Sequence, residues 1–404
     1  MKKIQYKPSR FNYVTKNQSG VIIYNTLYNS LTRLSYEEYE RISGDQENDE
    51  FIQKLVDQGI LVKVNCDELE QYNLYTYYAN TYVKTKPHLT ITPTMECNAR
   101  CFYCYENGVR CGKMSKDKHQ EIIEFLRGID CSQGIDLTWF GGEPLLNQKW
   151  MDEFVNHLES AGIEFSAFMI TNGSKIDDFV IGKMKNKWKI NSVQITLDGC
   201  YEEYSLRKSY VDQDDAVYYK ILKIIGKLAD AGIEVQVRMN VDGKNQDSVL
   251  HAVEDIANLF SDKHRVKCYP AFLSGVKNTL TEREKIDFIK KMIEQSSGKF
   301  DVNECLYRLP KTRACYFNQK DAFSIDTNGN VYACEHMLGH EERAIGNISQ
   351  KIVLPDRELS GKREECQQCK FLPKCQGGCW DTYHNSEIPC FTDKYIIMAY
   401  LELL

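Results

Sequence analysis

Ten of the sixteen cysteines in this chain fall into two arrays of ordered spacing, and no other feature narrows the possible folds as much. Cys97, Cys101 and Cys104 form C-x3-C-x2-C, with Tyr103 before the last cysteine. Cys315 and Cys334 precede a denser run, Cys366, Cys369, Cys375 and Cys379, spaced C-x2-C-x5-C-x3-C, and Cys390 lies beyond it. The opening MKKIQYKPSRFNYV has basic residues but no apolar run behind them, so no secretory signal is visible. Ordered cysteines without an export signal point to metal rather than disulfides, and to a reducing cytoplasm. Three thiolates on one short loop ligate three irons of a [4Fe-4S] cluster and leave the fourth iron open. A structural zinc site wants a fourth ligand nearby, and Cys111 is poorly spaced for it. For the second array a zinc ribbon is the competing reading, because C-x2-C pairs occur in both kinds of site. Cys66, Cys111, Cys131, Cys200, Cys268 and Cys305 stand outside the pattern and read as small buried hydrophobes or reduced surface thiols.

Such sites need a folded scaffold, and 404 residues suffice for two or three domains with real cores. The 17 Phe, 25 Tyr and 4 Trp exclude a disordered chain. The longest strongly apolar stretch, Tyr395–Leu404, is about half of what a bilayer requires, so no membrane span is expected. Net charge is −6, and no dense basic stretch offers counterion-releasing contacts to nucleic acid. The cluster KMKNKWK at Lys183–Lys189 reads as the solvated end of a helix.

Residues 1–85 look separate. Strands are predicted at Tyr13–Lys16 and Val21–Thr26, helices at Ser35–Ser43 and Asp49–Gln58, and a closing strand at Ile60–Val64. The order β-β-α-α-β suggests a small winged-helix-like unit, followed by a Tyr-rich connection. From His88 apolar runs recur at Leu89–Pro93, Ile135–Phe140, Glu164–Thr171, Ser192–Leu197, Glu234–Asn240 and Arg265–Tyr269. Helical patterns alternate with them at His119–Leu126, Trp150–Ala161, Asp215–Ala231 and Val249–Phe260, and Glu282–Glu294 follows. Six strands alternating with helices mean parallel βαβ units, and the length suits a partial, six-unit barrel over 86–275. A helical bridge at 276–310 leads to a Cys-rich region at 311–404, so poor in regular core that bound metal would have to staple it.

Several strand ends run into polar or Gly-rich turns, where parallel sheets bind their ligands. Here the chain resembles the radical S-adenosylmethionine enzymes, whose signature is C-x3-C-x-aromatic-C after the first barrel strand. Gly141, Gly142, Glu143 and Pro144 match that family's GGEP motif, and Thr171-Asn172-Gly173 and Thr196-Leu197-Asp198-Gly199 resemble its later strand ends. The resemblance implies that the GGEP backbone and Glu143 hold the nucleotide's amino group. A bare backbone edge would let the ligand approach, and a carboxylate would pair with the ammonium. By the same resemblance Thr196 lies near the cofactor's carboxylate or ribose, with Tyr103, Asn172, Asp198, Arg238 and Asn240 as further contacts and Arg207 as a weaker one. The chemistry implied is one-electron cleavage of S-adenosylmethionine to a 5′-deoxyadenosyl radical, which abstracts a substrate hydrogen while the protein orients the reactants and excludes water.

The second array looks like the SPASM domain of peptide-modifying radical enzymes. That family's pairing assigns Cys366, Cys369, Cys375 and Cys390 to one auxiliary [4Fe-4S] cluster and Cys315, Cys334 and Cys379 to another, three clusters in all. Asp321 and its neighbours supply no fourth cysteine, so the inner cluster either keeps an open iron or is closed by Cys305 or a carboxylate. An open iron would bind a soft substrate thiolate. Glu335 matches a position where sulfatase-maturing relatives carry an acidic base; His336 and His340 read as ordinary loop residues.

The first 85 residues resemble the winged-helix-like element that binds precursor leaders by strand addition. Together these resemblances imply a peptide maturase that installs cysteine thioether crosslinks, of the sactipeptide or ranthipeptide type. Its partners would be a Cys-containing precursor peptide and a one-electron reductant such as flavodoxin or ferredoxin. The rivals are a formylglycine-forming sulfatase maturase, a carbon–carbon crosslinking enzyme, a peptide epimerase and an RNA-modifying radical enzyme. Outside catalysis, an iron–sulfur electron carrier or peptide-binding scaffold is the alternative.

Overall fold

A computed structural model describes residues 5–42, 49–109, 112–211, 217–312, 315–350, 352, 363–379 and 390–404. Cys111 lies outside them, as do Ser43, Asp215 and Ala216 at the ends of two predicted helices. Among the described residues nine strands form one sheet, and its first six are β6 (His88–Thr94), β7 (Ile135–Gly141), β8 (Phe165–Thr171), β9 (Ile190–Thr196), β10 (Glu234–Val241) and β11 (Val266–Phe272). These six are parallel and stand in chain order, which is barrel-type winding rather than the doubly wound arrangement. All six predicted runs are strands, each within a few residues of its expected bounds.

Period-two alternation gives each strand two different faces. Leu89, Ile91, Leu137, Trp139, Met169, Val193, Ile195, Val235 and Val237 are fully or almost fully buried in the main core. Most of the intervening residues are polar, and several bond across the sheet. Tyr269 donates to Gln194 at 2.5 Å, Ser166 donates to Asp136 at 3.0 Å, and the His88 ring lies 3.3 Å from the Thr138 hydroxyl. The helices between strands include Asp178–Asn186, whose end the basic cluster marks, and Tyr201–Lys208, which the sequence reading missed. The first ends inside the basic cluster, where Lys183 donates to Asp152 at 2.7 Å. That end is therefore partly tied down by an ion pair.

The sheet does not stop where the apolar rhythm does. β12 (Ala322–Ile325) pairs in parallel with β6, and β13 (Asn330–Tyr332) and β14 (Gly346–Asn347) extend the sheet antiparallel from it. The Cys-rich region is thus seated on the barrel's first strand. The C-terminal helix Thr392–Leu403 packs on helices Glu282–Gln295 and Val302–Tyr307, held by Lys394 to Glu282 at 2.8 Å.

At the front, β2 (Asn12–Asn17), β3 (Gly20–Asn25) and β4 (Ser30–Leu34) form an antiparallel sheet. β1 (Tyr6–Pro8) and β5 (Leu61–Lys63) form a separate ribbon. β1 and β4 add to the predicted order, and both helices fall where expected. Ser35 closes a capping box on Tyr36–Arg41, and Asp49 caps Glu50–Asp57. The Tyr-rich connection is a helix, Glu68–Tyr82, capped by Asp67. Its buried Tyr72 packs with Phe11 and Leu372 and donates to Lys311 O at 2.8 Å, so the front unit rests on the Cys-rich region. Among the described residues, no helix is long and apolar enough to cross a membrane.

Candidate active site and cysteine centres

The loop leaving β6 carries the first triad. Cys97 Sγ accepts from Ala99 N–H at 3.4 Å, and burial raises this thiol to about 11, against that hydrogen bond. Burial raises Cys104 as well. Thiols so placed stay protonated unless positive charge joins them, and coordination to iron supplies that charge.

Gly141 and Gly142 press against this loop at distances that admit no side chain. A Cβ on Gly142 would lie 2.5 Å from Glu96 O and 2.6 Å from Met95 O. Gly141, at φ +114°, would meet Thr94 O at 2.4 Å. Two main-chain bonds lock the same seam, Gly142 N–H to Thr94 O at 3.2 Å and Glu143 N–H to Glu96 O at 2.9 Å. The Glu143 side chain is also committed within the protein. It is wholly buried and accepts from Asn172 N–H at 2.8 Å, Leu145 N–H at 3.1 Å and the Thr171 hydroxyl at 2.8 Å. Burial pushes its carboxyl above the ordinary value, against those hydrogen bonds. The carboxylate therefore ties the ends of β7 and β8 together, and Pro144 opens the short 3-10 turn that follows.

Asn172 reaches the triad. Its Nδ2 donates to Asn98 Oδ1 at 2.9 Å and lies 4.0 Å from Cys97 Sγ. Asp198, fully buried, takes the Tyr103 hydroxyl on Oδ2, accepts from Asn240 N–H at 3.1 Å and faces Lys208 Nζ at 3.6 Å. Tyr103 is thereby anchored from the far side of the loop. Arg238 donates to Asn240 Oδ1 at 3.0 Å and stands level with Thr196 in the β9–β10 register. Arg207 pairs with Asp242 at 3.0 Å and Glu203 at 2.5 Å, its guanidinium 5.3 Å from the Phe102 ring, and its buried Nη1 has no partner.

Sequence reasoning missed Asn98, Lys208 and Glu106. Asn98 sits inside the cysteine motif, but only the fold brings it to Asn172. Lys208 follows Arg207 on a helix that periodicity did not detect. Glu106 Oε1 is buried without a partner, and burial raises this carboxyl to about 7.

The second array divides into two groups. Cys366, Cys369, Cys375 and Cys390 line one cavity of about 260 Å³ with Phe371 and Leu372. Burial raises Cys375 to about 11 and pushes Cys366 upward. Cys315 and Cys334 share an apolar cluster with Phe140, Phe317, Tyr332 and Met337. Burial lifts Cys315 to about 11, against a hydrogen bond from the Phe317 backbone, with Cys379 and Glu335 pushing it further up. Cys334 is raised for the same leading reason, with Glu335, Cys315 and Cys379 all contributing. Among the described residues, no three His, Cys, Asp or Glu side chains converge closely enough for a single metal ion. The four thiols lining the cavity are of the type and number that would hold an iron–sulfur cluster. The Cys315–Cys334 group is tied to the first triad's loop, because Tyr105 stacks on His336 at 4.4 Å. His336 is thus part of the seam between them.

Residues 91–256 match the Radical SAM superfamily model. An uncharacterized protein of Methanocaldococcus jannaschii is 25% identical over 294 residues, covering 71% of this chain and 96% of the relative. A probable GTP 3',8-cyclase of Thermococcus kodakarensis is 29% identical over 169 residues, 41% of this chain and 53% of the relative. The alignment thus spans about half of that curated relative. Among solved structures, native anSMEcpe with bound AdoMet is similar at a TM-score of 0.61 and 18% identity, covering 78% of this chain and 95% of that one. Streptococcus suis SuiB bound to precursor peptide SuiA is similar at 0.54 and 14%, covering 96% and 98%. At such identities these likenesses speak for the fold alone. Residues 91–256 of this chain therefore match a radical SAM superfamily domain, and the solved structures share its fold.

Proposed function

We propose that this enzyme modifies a ribosomally made, cysteine-containing peptide and joins the cysteine sulfur to a carbon of the same peptide. The observation that carries the reading is the grouping of Cys315, Cys334 and Cys379 without a fourth cysteine among the described residues. Only Cys111 lies outside the described residues, and the other off-pattern cysteines sit elsewhere. Cys66 lies beside Gln71, Cys131 beside Leu126, Cys200 beside Ser248, Cys268 in β11 and Cys305 against Asp393. Three cysteines leave one cluster position for another ligand, and a thiolate is the ligand that iron–sulfur sites prefer.

Cys97, Cys101 and Cys104 would hold the S-adenosylmethionine-binding cluster, and the four cavity-lining cysteines and the inner triad would hold the auxiliary ones. When bound, these groups supply a 5′-deoxyadenosyl radical at the first site and electron transfer at the others. The chain's own work is placement. Gly141 and Gly142 set the cysteine loop against β7, Glu143 joins β7 to β8, and Asp198 with Lys208 fixes Tyr103. Phe140 and Ile170 pack in the apolar cluster that holds Cys315 and Cys334. The substrate loses one hydrogen atom from carbon and one proton from sulfur as the C–S bond forms, and one electron is left to be taken up.

The front unit suits a leader. β2 and β4 are the two edges of its sheet, where an added strand finds unpaired backbone groups. SuiB and anSMEcpe were solved with peptides, which favours a peptide as the substrate class here.

The test is anaerobic mass spectrometry of a cysteine-containing candidate precursor with enzyme, reductant and S-adenosylmethionine. A loss of two hydrogens with one cysteine now resistant to alkylation supports the thioether. Two hydrogens lost with every thiol still reactive means carbon–carbon coupling. Conversion of the cysteine to an aldehyde means formylglycine formation.

A further inference from the structure

The sequence leaves Cys305, a carboxylate or nothing as the fourth ligand of the inner triad, and the fold separates these. Cys305 lies on helix Val302–Tyr307, buried, with its Sγ 3.8 Å from Asp393 Oδ1. Burial raises its thiol to about 12, and its charged neighbours include Asp393, Arg308, Glu304, Lys311 and Lys374, with none of the triad among them. Glu335 is placed differently. It opens the 3-10 turn directly after Cys334, and its Oε2 lies 3.9 Å from Cys334 Sγ. It is half-buried, and its charge acts on Cys315, Cys334 and the Tyr105 and Tyr316 hydroxyls. Among the described residues no Lys or Arg forms an ion pair with it. A half-buried carboxylate this close to Cys334, and without a cation partner among the described residues, is placed to offer an oxygen ligand to an iron that the triad would hold.

We propose that the Glu335 carboxylate is a displaceable oxygen ligand that closes the three-cysteine site until the substrate's cysteine arrives. This rests on the reading that Cys315, Cys334 and Cys379 hold a cluster. An oxygen ligand is harder than a thiolate and holds a sulfur-rich site less strongly, so the exchange favours the substrate. In that exchange the substrate thiol gives its proton to solvent and its sulfur takes the position that the carboxylate leaves. No electron moves. The carboxylate keeps other small ligands out of the site between turnovers, which bears on selectivity for a thiol-bearing substrate.

The experiment uses the full-length protein, reconstituted anaerobically with Cys97, Cys101 and Cys104 changed to Ala so that only the auxiliary clusters report. Carbon-13 cyanide is titrated into the reduced protein, and its carbon hyperfine coupling is read by pulsed EPR. Glu335→Ala is expected to show the coupling at a cyanide concentration at least about tenfold below that required with Glu335 intact. Glu335→Asp, which keeps a carboxylate, is expected to retain most of the protection and guards against a folding artefact in the Ala variant. Equal cyanide uptake with and without Glu335 overturns the proposal, and so does the absence of uptake in every variant. Failure of the underlying reading looks different. Adding Cys315→Ala should then leave iron content unchanged, whereas loss of one cluster's iron keeps the triad assignment and lets the cyanide result decide on Glu335.

Discussion

Tyr105, the residue after the first triad, stacks on His336, two residues past Cys334, with ring centroids 4.4 Å apart and planes 7° from parallel. Nothing else in the described residues links the two cysteine loops so directly by ring contact. If radical generation and bond formation must stay in step, this contact is where the loops keep their spacing. Tyr105→Ala is expected to leave all clusters in place and to raise the ratio of 5′-deoxyadenosine released to peptide modified severalfold. Chromatographic quantification of both products checks it; an unchanged ratio would show that the stack only packs.

Gly142 faces the backbone of Met95 and Glu96 at distances no Cβ accepts. Gly142→Ala must push the Cys97 loop off β7, because neither partner is a flexible side chain. The reconstituted variant is expected to lose the first cluster and keep the others, about four iron of twelve if each is a cubane. Iron analysis with EPR of the reduced protein makes the measurement.

Lys208 and Asp198 form an almost wholly buried pair, with side-chain exposures of 5% and 0%. Removing one partner leaves the other charge without its counterpart in a dry site. Lys208→Met is expected to destabilise the protein by about 3 kcal/mol. The double variant Lys208→Met with Asp198→Asn should recover part of that loss. Denaturant unfolding of the two single variants and the double variant gives the coupling; strict additivity would mean that the pair does not interact.

His88 supplies a pH signature. Burial lowers its imidazole to about 4, against the charge of Asp136. The unfolded chain therefore binds the proton more readily, and stability falls as pH drops from about 6.5 towards 4. Between pH 7 and pH 5 this group alone accounts for about 2 kcal/mol. His88→Gln should flatten that part of the stability profile relative to the parent. Parallel acid dependence in both proteins would assign the loss to other groups.

Much of this architecture was legible in the residues themselves. The six parallel strands were readable because a buried parallel strand is a short apolar run between turns, and the helices covering it carry their own period. Helix Tyr201–Lys208 was not, because its buried face holds Tyr204, Arg207 and Lys208 rather than aliphatic residues. Strands β12 to β14 were missed because they are two to four residues long and join the sheet through β12 on β6, a partner far away in the chain.

The cysteine spacings by themselves determined that this chain gathers thiols in more than one place, since local loops dictate which cysteines can converge. The TNG and GGEP turns were equally local, and so were visible. Only the tertiary structure decided what those residues touch. It set Gly142 against the cysteine loop, turned the Glu143 carboxylate to β8, sent Cys305 to Asp393 and left Glu335 beside Cys334. The physical reason is that spacing constrains neighbours along the chain, whereas a side chain's partners depend on which distant backbone the packed core brings alongside it.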